Sequence, residues 1–444
     1  MFRTTAQVIS AEQNYAANSP GVVMVQTVFS ATVFVNKVVM NEARFQVLVD
    51  SVKRLDTTGT MLSPEEKLDI VVRALYNHPF RFFSATTEYY RQSHRIISSG
   101  TGFFITGDGY LVTNAHIIDR DSAYIRRRFI LSTYQEVTER NIRSLELSWA
   151  MTLTDQQRNL LNNAYSVIYS QVSSMILFDL KRNIHIEFRT GSGASRAITR
   201  LPARVIQKGS PMPGKDVAIL KVDNVKEMPT LPISPEPARI GEQVLVYGYP
   251  EPVTSNAFLA KETTSEPTLT GGIISAIKRS VGGWPVIQMD AVIAHGSSGS
   301  PVCNNRGEVI GLATFGTLEQ ATGMLANSYN FSIPSSVIKE YLDSAAVRAA
   351  VSAATQAWHQ GLDLYYKSFY GKALNKFKAV QELNPGYPEL QEYLAACNSR
   401  IVDGAEPEPF RKKSVFRIMA LLLVLGGTFI FYRSQRKRPA RTKS

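Results

Sequence analysis

Between residues 203 and 334 the chain keeps repeating one pattern: a short apolar, β-branched run separated from the next by a stretch that contains glycine or proline. Ala203–Gln207, Val217–Val222, Ile240–Pro250, Thr268–Arg279, Val309–Gly316 and Asn330–Pro334 all read this way. Short strands at that cadence predict an antiparallel barrel architecture rather than a parallel α/β sheet. Upstream, Val22–Val35 carries no charge but is β-branched and interrupted by Gln, Ser and Thr, so it reads as buried strand, not as a membrane span. Two stretches break the pattern. Residues 41–95 and 119–175 read as helical insertions, the first opened by Ser63-Pro64-Glu65-Glu66, a cap, an N1 proline and a capping-box glutamate.

Three motifs inside this framework carry chemistry. Asp290 to Val302 contains His295-Gly296-Ser297-Ser298-Gly299-Ser300, a glycine-flanked serine in a tight loop between apolar runs, and Ser298 reads as a nucleophile. His116 closes the strand Leu111–Ala115, just after a Gly107-Asp108-Gly109 hairpin turn. Asp216 stands immediately before the buried run Val217–Val222. Histidine, aspartate and serine in that chain order, each in its own motif, suit acyl transfer through a base, an orienting carboxylate and a nucleophile. His295 reads as a solvated loop residue. His78, His94, His185 and His359 show no ligand spacing with one another or with Cys303 and Cys397, so neither a metal nor another cofactor is expected.

Gly100-Thr-Gly-Phe-Phe-Ile, Leu111-Val-Thr-Asn-Ala-His116, Asp216-Val-Ala-Ile-Leu-Lys, Ile240-Gly-Glu-Gln-Val, Gly272-Ile-Ile-Ser-Ala, Gln288-Met-Asp-Ala-Val-Ile and Asn330-Phe-Ser-Ile-Pro, in collinear order, resemble the protease domain of HtrA/Deg-type, trypsin-like serine proteases. The resemblance covers residues 19–40, 96–118 and 176–340. It implies a mainly β double barrel of the chymotrypsin type over 19–344, with His116 as base, Asp216 as its orienter and Ser298 as nucleophile. It also implies an oxyanion hole from the backbone N–H groups of Gly296 and Ser298, and a substrate-pairing strand at Thr314, Phe315 and Gly316. Where the family has Gly-Asn-Ser-Gly-Gly, this chain has Ser297 and Ser300. With no aspartate at 297, control is expected through conformation or assembly, not through cleavage. Protein or peptide substrates and a homo-oligomer follow from the same resemblance.

Net charge is +12, but residues 411–444 hold ten Lys/Arg and no acid, which leaves 12 − 10 = +2 for residues 1–410. That distribution is a membrane flank rather than a nucleic-acid footprint. Residues 345–400 read as helices. There Gly361, Ala373, Phe377 and Pro385 fall at the offsets of a tetratricopeptide-like (TPR-like) unit, which is too short to stand without docking. A 401–414 linker leads to residues 415–432, a short apolar stretch of the length and flanking charge of a single transmembrane helix, and then to a basic tail, 433–444. No leader peptide is recognised at residues 1–18. The basic tail favours a protease domain outside the cytoplasm, whereas tail anchoring leaves it inside, and both orientations stand. The reading is a membrane-anchored serine endopeptidase of protein quality control; the alternative is a non-proteolytic membrane scaffold using the same fold and the TPR-like segment.

Overall fold

The computed structural model describes residues 9–55, 61–171, 175–191, 196–318 and 325–405. In chain order the elements are α1 (Ala11–Asn18), β1 (Val22–Met40), α2 (Glu42–Arg54), α3 (Pro64–Asn77), α4 (Pro79–Phe82), β2 (Phe83–Phe104), β3 (Tyr110–Thr113) and α5 (Ala115–Ile118). Next come α6 (Ser122–Trp149), α7 (Asp155–Gln171), β4 (Met175–Thr190), β5 (Ala197–Pro202), β6 (Arg204–Lys208), β7 (Ala218–Lys221), β8 (Gln243–Gly248), α8 (Glu251–Thr254) and α9 (Lys261–Thr264). The chain continues with β9 (Thr268–Arg279), β10 (Pro285–Met289), β11 (Pro301–Cys303), β12 (Val309–Leu318), β13 (Leu325–Pro334), α10 (Ser335–Ser344), α11 (Ala353–Tyr366), α12 (Tyr370–Leu383) and α13 (Leu390–Val402).

The second half of the β framework is a closed barrel in the order β10-β13-β12-β11-β8-β9. The first half is a seven-stranded sheet, β5-β4-β1-β2-β3-β7-β6. Its outermost strands β5 and β6 are one stretch of chain broken only at Ala203, whose N–H turns to Ile184 O at 2.9 Å. This sheet therefore wraps onto itself through continuous backbone rather than through a ladder. One core cluster spans both halves, joining Val22, Phe103 and Ile219 to Tyr247, Leu312 and Ile333.

The first insertion differs in extent from the sequence expectation. Its helices occupy only Glu42–Phe82, and residues 83–95 belong to β2. The reason is pairing: β1 and β2 pair antiparallel from Val22↔Phe103 out to Met40↔Phe83 with one irregularity between Asn36 and Val38, and β4 joins β1 from Met24↔Glu187 to Val35↔Met175 with one between Ser30 and Thr32. Polar residues such as Gln92 and Ser93 hide the strand alternation that this long ribbon follows. At its far end the two insertions meet, with Val52, Leu68, Val72 and Leu75 packed against Val137, Leu161 and Ile168 over Val35 and Phe83. They are thus one helical layer on the ribbon, and Ile125 and Phe129 of α6 cover its inner face at Phe29, Ala31 and Val33.

Residues 353–402 form three helices that dock on the β framework. Trp358, Ala373, Phe377 and Tyr387 share a core with Ala16 of α1. The docking bonds are specific: Trp358 Nε1 donates to Ala16 O at 2.8 Å, Ala350 N–H to Ile105 O at 3.0 Å, and the buried Arg189 pairs with Glu389 at 3.1 Å. Gly361 is where the Phe377 ring crosses α11, and a Cβ there would lie 2.5 Å from Phe377 Cε1. Gly361→Val is expected to overpack this crossing and lower stability by about 1–3 kcal/mol, read as a lower urea midpoint at unchanged m. Among the described residues no helix is long and apolar enough to cross a membrane. The transmembrane expectation at 415–432 and the basic tail lie outside the described residues.

Candidate active site

β3 delivers its last residues into the single turn α5, and this places His116 at the seam between the two β halves. The segment carrying Asp216 runs beside it, because β3 and β7 pair antiparallel from Tyr110↔Lys221 to Thr113↔Ala218. Asp216 is fully buried, and its carboxylate accepts three hydrogen bonds. Its Oδ1 takes the His116 backbone N–H at 2.8 Å, and its Oδ2 takes His116 Nδ1 at 2.6 Å and Thr314 Oγ1 at 2.8 Å. A buried carboxylate is costly unless each lone pair is used, and these donors supply that compensation. With Nδ1 donating to Asp216, Nε2 is left as the basic nitrogen of a half-buried ring.

Ser298 sits on the facing barrel, and Thr314 links it to the dyad. The Ser298 hydroxyl donates to Thr314 O at 3.0 Å while the Thr314 side chain holds Asp216. No hydrogen bond joins Ser298 to His116 among the described residues. A bond from Ser298 to His116 requires the hydroxyl to rotate away from the Thr314 carbonyl. The thiol of Cys303 on this barrel is fully buried, and burial pushes it well above its ordinary pKa.

The Ser298 loop depends on two left-handed glycines, Gly296 (φ +91°) and Gly299 (φ +85°). A Cβ on Gly296 would lie 2.3 Å from Tyr249 O, and one on Gly299 would lie 1.9 Å from Thr101 O. Both positions therefore exclude side chains on conformation and on space. Ser297 is buried and closes a local turn, its hydroxyl accepting from Ala294 N–H at 3.3 Å and its own N–H donating to Ala294 O at 2.9 Å. Ser300 is fully buried, with its hydroxyl set against Gly248, where a Cβ would meet it at 2.2 Å, and without a hydrogen-bond partner among the described residues. Removing that orphaned hydroxyl by Ser300→Ala is expected to raise stability by about 1 kcal/mol, measured by thermal or urea unfolding.

The structure brings His116, Asp216 and Ser298 to one seam and puts Gly296 in the same loop. Phe315 and Gly316 continue the strand from Thr314 and pair with Phe331 and Asn330 of β13. His295 is exposed. Among the described residues no cluster of three His, Cys, Asp or Glu side chains could hold a metal. Sequence reasoning did not see the double use of Thr314, on Asp216 through its side chain and on Ser298 through its carbonyl. Nor did it see Thr101, whose only signal was its place between two glycines in a motif read as framework.

A model of the trypsin-like peptidase domain matches residues 165–312, which contain Asp216 and Ser298 and leave His116 outside. Among curated proteins the chain is 27% identical over 251 residues to a probable periplasmic serine endoprotease DegP-like of Rhizobium meliloti, 56% of this chain and 33% of that one. It is 25% identical over 256 residues to the serine protease HTRA4 of Mus musculus, 55% of this chain and 34% of that one. With the serine endoprotease DegS of Haemophilus influenzae it shares 33% identity over 134 residues, 29% of this chain and 35% of that one. The chain spans about a third of the length of the curated relatives it matches. Residues 165–312 thus match a trypsin-like peptidase domain, and the chain resembles HtrA/Deg-type serine proteases at modest identity.

Proposed function

We propose that this chain is a serine endopeptidase that hydrolyses peptide bonds in protein substrates. The observation that carries the reading is the buried Asp216, bonded twice to His116 and, through Thr314, tied to Ser298. On this reading Ser298 Oγ attacks the scissile carbonyl, His116 Nε2 takes the proton and later gives it to the leaving amine, and Asp216 holds the tautomer and the imidazolium. Gly296 and Ser298 present backbone N–H groups to the oxyanion. Thr314, Phe315 and Gly316 pair with the substrate backbone beside the bond cut.

Membrane attachment through residues 415–432 belongs to the same proposal, supported by the apolar stretch and its basic flanks. Self-association and a role in protein quality control follow by similarity. The helices at 353–402 serve as a TPR-like element, and the buried offsets Gly361, Ala373 and Phe377 support that reading.

The test is degradation of a denatured, fluorescently labelled protein by the purified full chain. Cleavage that disappears in Ser298→Ala supports the proposal. No turnover under any assembly condition together with full genetic function of Ser298→Ala favours the scaffold alternative, and equal turnover in both proteins removes Ser298 as the nucleophile. A tag placed on either side of 415–432 and probed with protease in intact cells assigns the orientation.

A further inference from the structure

The Ser298 loop has four consecutive carbonyls, and each is held by a different donor. His295 O accepts from Glu251 N–H at 2.6 Å, Gly296 O from Thr101 Oγ1 at 2.9 Å, Ser297 O from Ser300 N–H at 3.0 Å, and Ser298 O from Thr101 N–H at 2.8 Å. The N–H groups are distributed as selectively. Those of Ser297 and Gly299 are spent on Ala294 O and Ala313 O, both within 2.9 Å, whereas those of Gly296 and Ser298 donate to no partner among the described residues. In a trans peptide the C=O and the following N–H point in opposite directions. Pinning His295 O on Glu251 therefore turns the Gly296 N–H away from that side, and pinning Ser297 O on Ser300 does the same for the Ser298 N–H.

Three of these donors, on the two residues Thr101 and Glu251, lie outside the loop. Thr101 is fully buried in β2; besides its two bonds to the loop, its hydroxyl accepts Tyr249 N–H at 3.0 Å and its carbonyl accepts Thr113 Oγ1 at 2.7 Å. Its side chain thus links the nucleophile loop to the segment that leads into Glu251. Glu251 itself is exposed and contributes only its backbone N–H.

We propose that the Glu251 backbone N–H, which fixes the peptide plane carrying the Gly296 N–H, and the Thr101 hydroxyl, which fixes the adjoining 296–297 plane, are positioning groups for the oxyanion site, holding the loop so that the Gly296 and Ser298 N–H groups stay free for substrate. The proposal rests on the serine endopeptidase reading and deepens it. Neither group touches the reacting atoms. Without the Glu251 bond the 295–296 plane is free to turn, and His295 O replaces the Gly296 N–H where negative charge develops; without the Thr101 hydroxyl the 296–297 plane beside it keeps only the Ser297 N–H bond to Ala294 O.

Three variants test it in the full chain, with acylation by a fluorophosphonate, kcat and KM on a peptide substrate, and melting temperature measured together. Thr101→Val keeps the shape and the backbone N–H but deletes the hydroxyl, and Thr101→Ser restores it. Glu251→Pro removes the N–H at an exposed first helical position, where proline is tolerated, after Pro250 at ψ 131°, a conformation that accepts a following proline.

Thr101→Val and Glu251→Pro are expected to lower kcat and the acylation rate about tenfold or more at near-native KM, approaching the ~10²–10³ that loss of an oxyanion donor costs. Thr101→Ser stays near native. Folded Thr101→Val and Glu251→Pro with native kcat overturn the proposal, as does Thr101→Ser as slow as Thr101→Val. Should Thr101→Val not fold, Glu251→Pro decides alone, and a native rate there overturns it. If the native chain itself is not acylated, the endopeptidase reading fails first, which is a distinct result.

Discussion

Asp216→Asn is expected to lower kcat about 10⁴-fold while the protein stays folded and KM changes little. Three donors converge on the two carboxylate oxygens: the His116 backbone N–H, His116 Nδ1 and the Thr314 hydroxyl. An asparagine offers one oxygen and one NH₂. The His116 backbone N–H can only donate, so the amide oxygen must face it, and the NH₂ then points at Nδ1. Nδ1 is forced to accept, and the ring proton moves to Nε2, where the base should be empty. The Thr314 hydroxyl can rotate to accept from the amide, so the fold has little to resist. Steady-state kinetics beside a melting curve separate the two effects. A loss below about 100-fold in a folded protein would mean that the contact between Asp216 and His116 does not set the tautomer.

The second large effect is on stability. Trp358→Ala is expected to cost about 3–5 kcal/mol, the range for deleting a fully buried large aromatic side chain. The indole lies 5.1–5.2 Å, centroid to centroid, from the rings of Phe377, Tyr387 and Tyr393, and its Nε1 donates to Ala16 O. Its loss opens a cavity between the docked helices and α1. From α1 the contact continues into the second barrel, since Asn14 donates to Asn304 O at 3.0 Å and accepts Tyr247 OH at 2.6 Å. Urea unfolding followed by far-ultraviolet dichroism should show one transition moved to lower urea. A helical segment that melts separately, with the barrels unchanged, would show that docking contributes little to the body of the protein.

The β framework was legible because strand alternation and Gly/Pro turns are local signals, and the helical segment was legible because Gly361, Ala373, Phe377 and Pro385 fall at the offsets of a helix-pair unit. The long ribbon of β1, β2 and β4 was not. Its outer residues, among them Arg91, Ser93 and Arg95, are exposed, so residues 83–95 show a weak apolar period and were assigned to the helical insertion. His116, Asp216 and Ser298 could be read because each stands in a compact motif. Thr314 as the link between Asp216 and Ser298, and Thr101 as the clamp on the loop, come from distant strands that only the folded seam brings together. Ser300 stood out as a departure, and the structure gives its physical setting: a buried hydroxyl accommodated by Gly248, with no bond of its own.

The most direct measurement of the central claim is active-site mass spectrometry of the full chain after incubation with a fluorophosphonate. The account predicts one adduct, on the peptide that carries Ser298, formed in the native protein and lost in both Ser298→Ala and His116→Ala. An adduct elsewhere, or labelling of Ser298 that persists without His116 at the native rate, would contradict it.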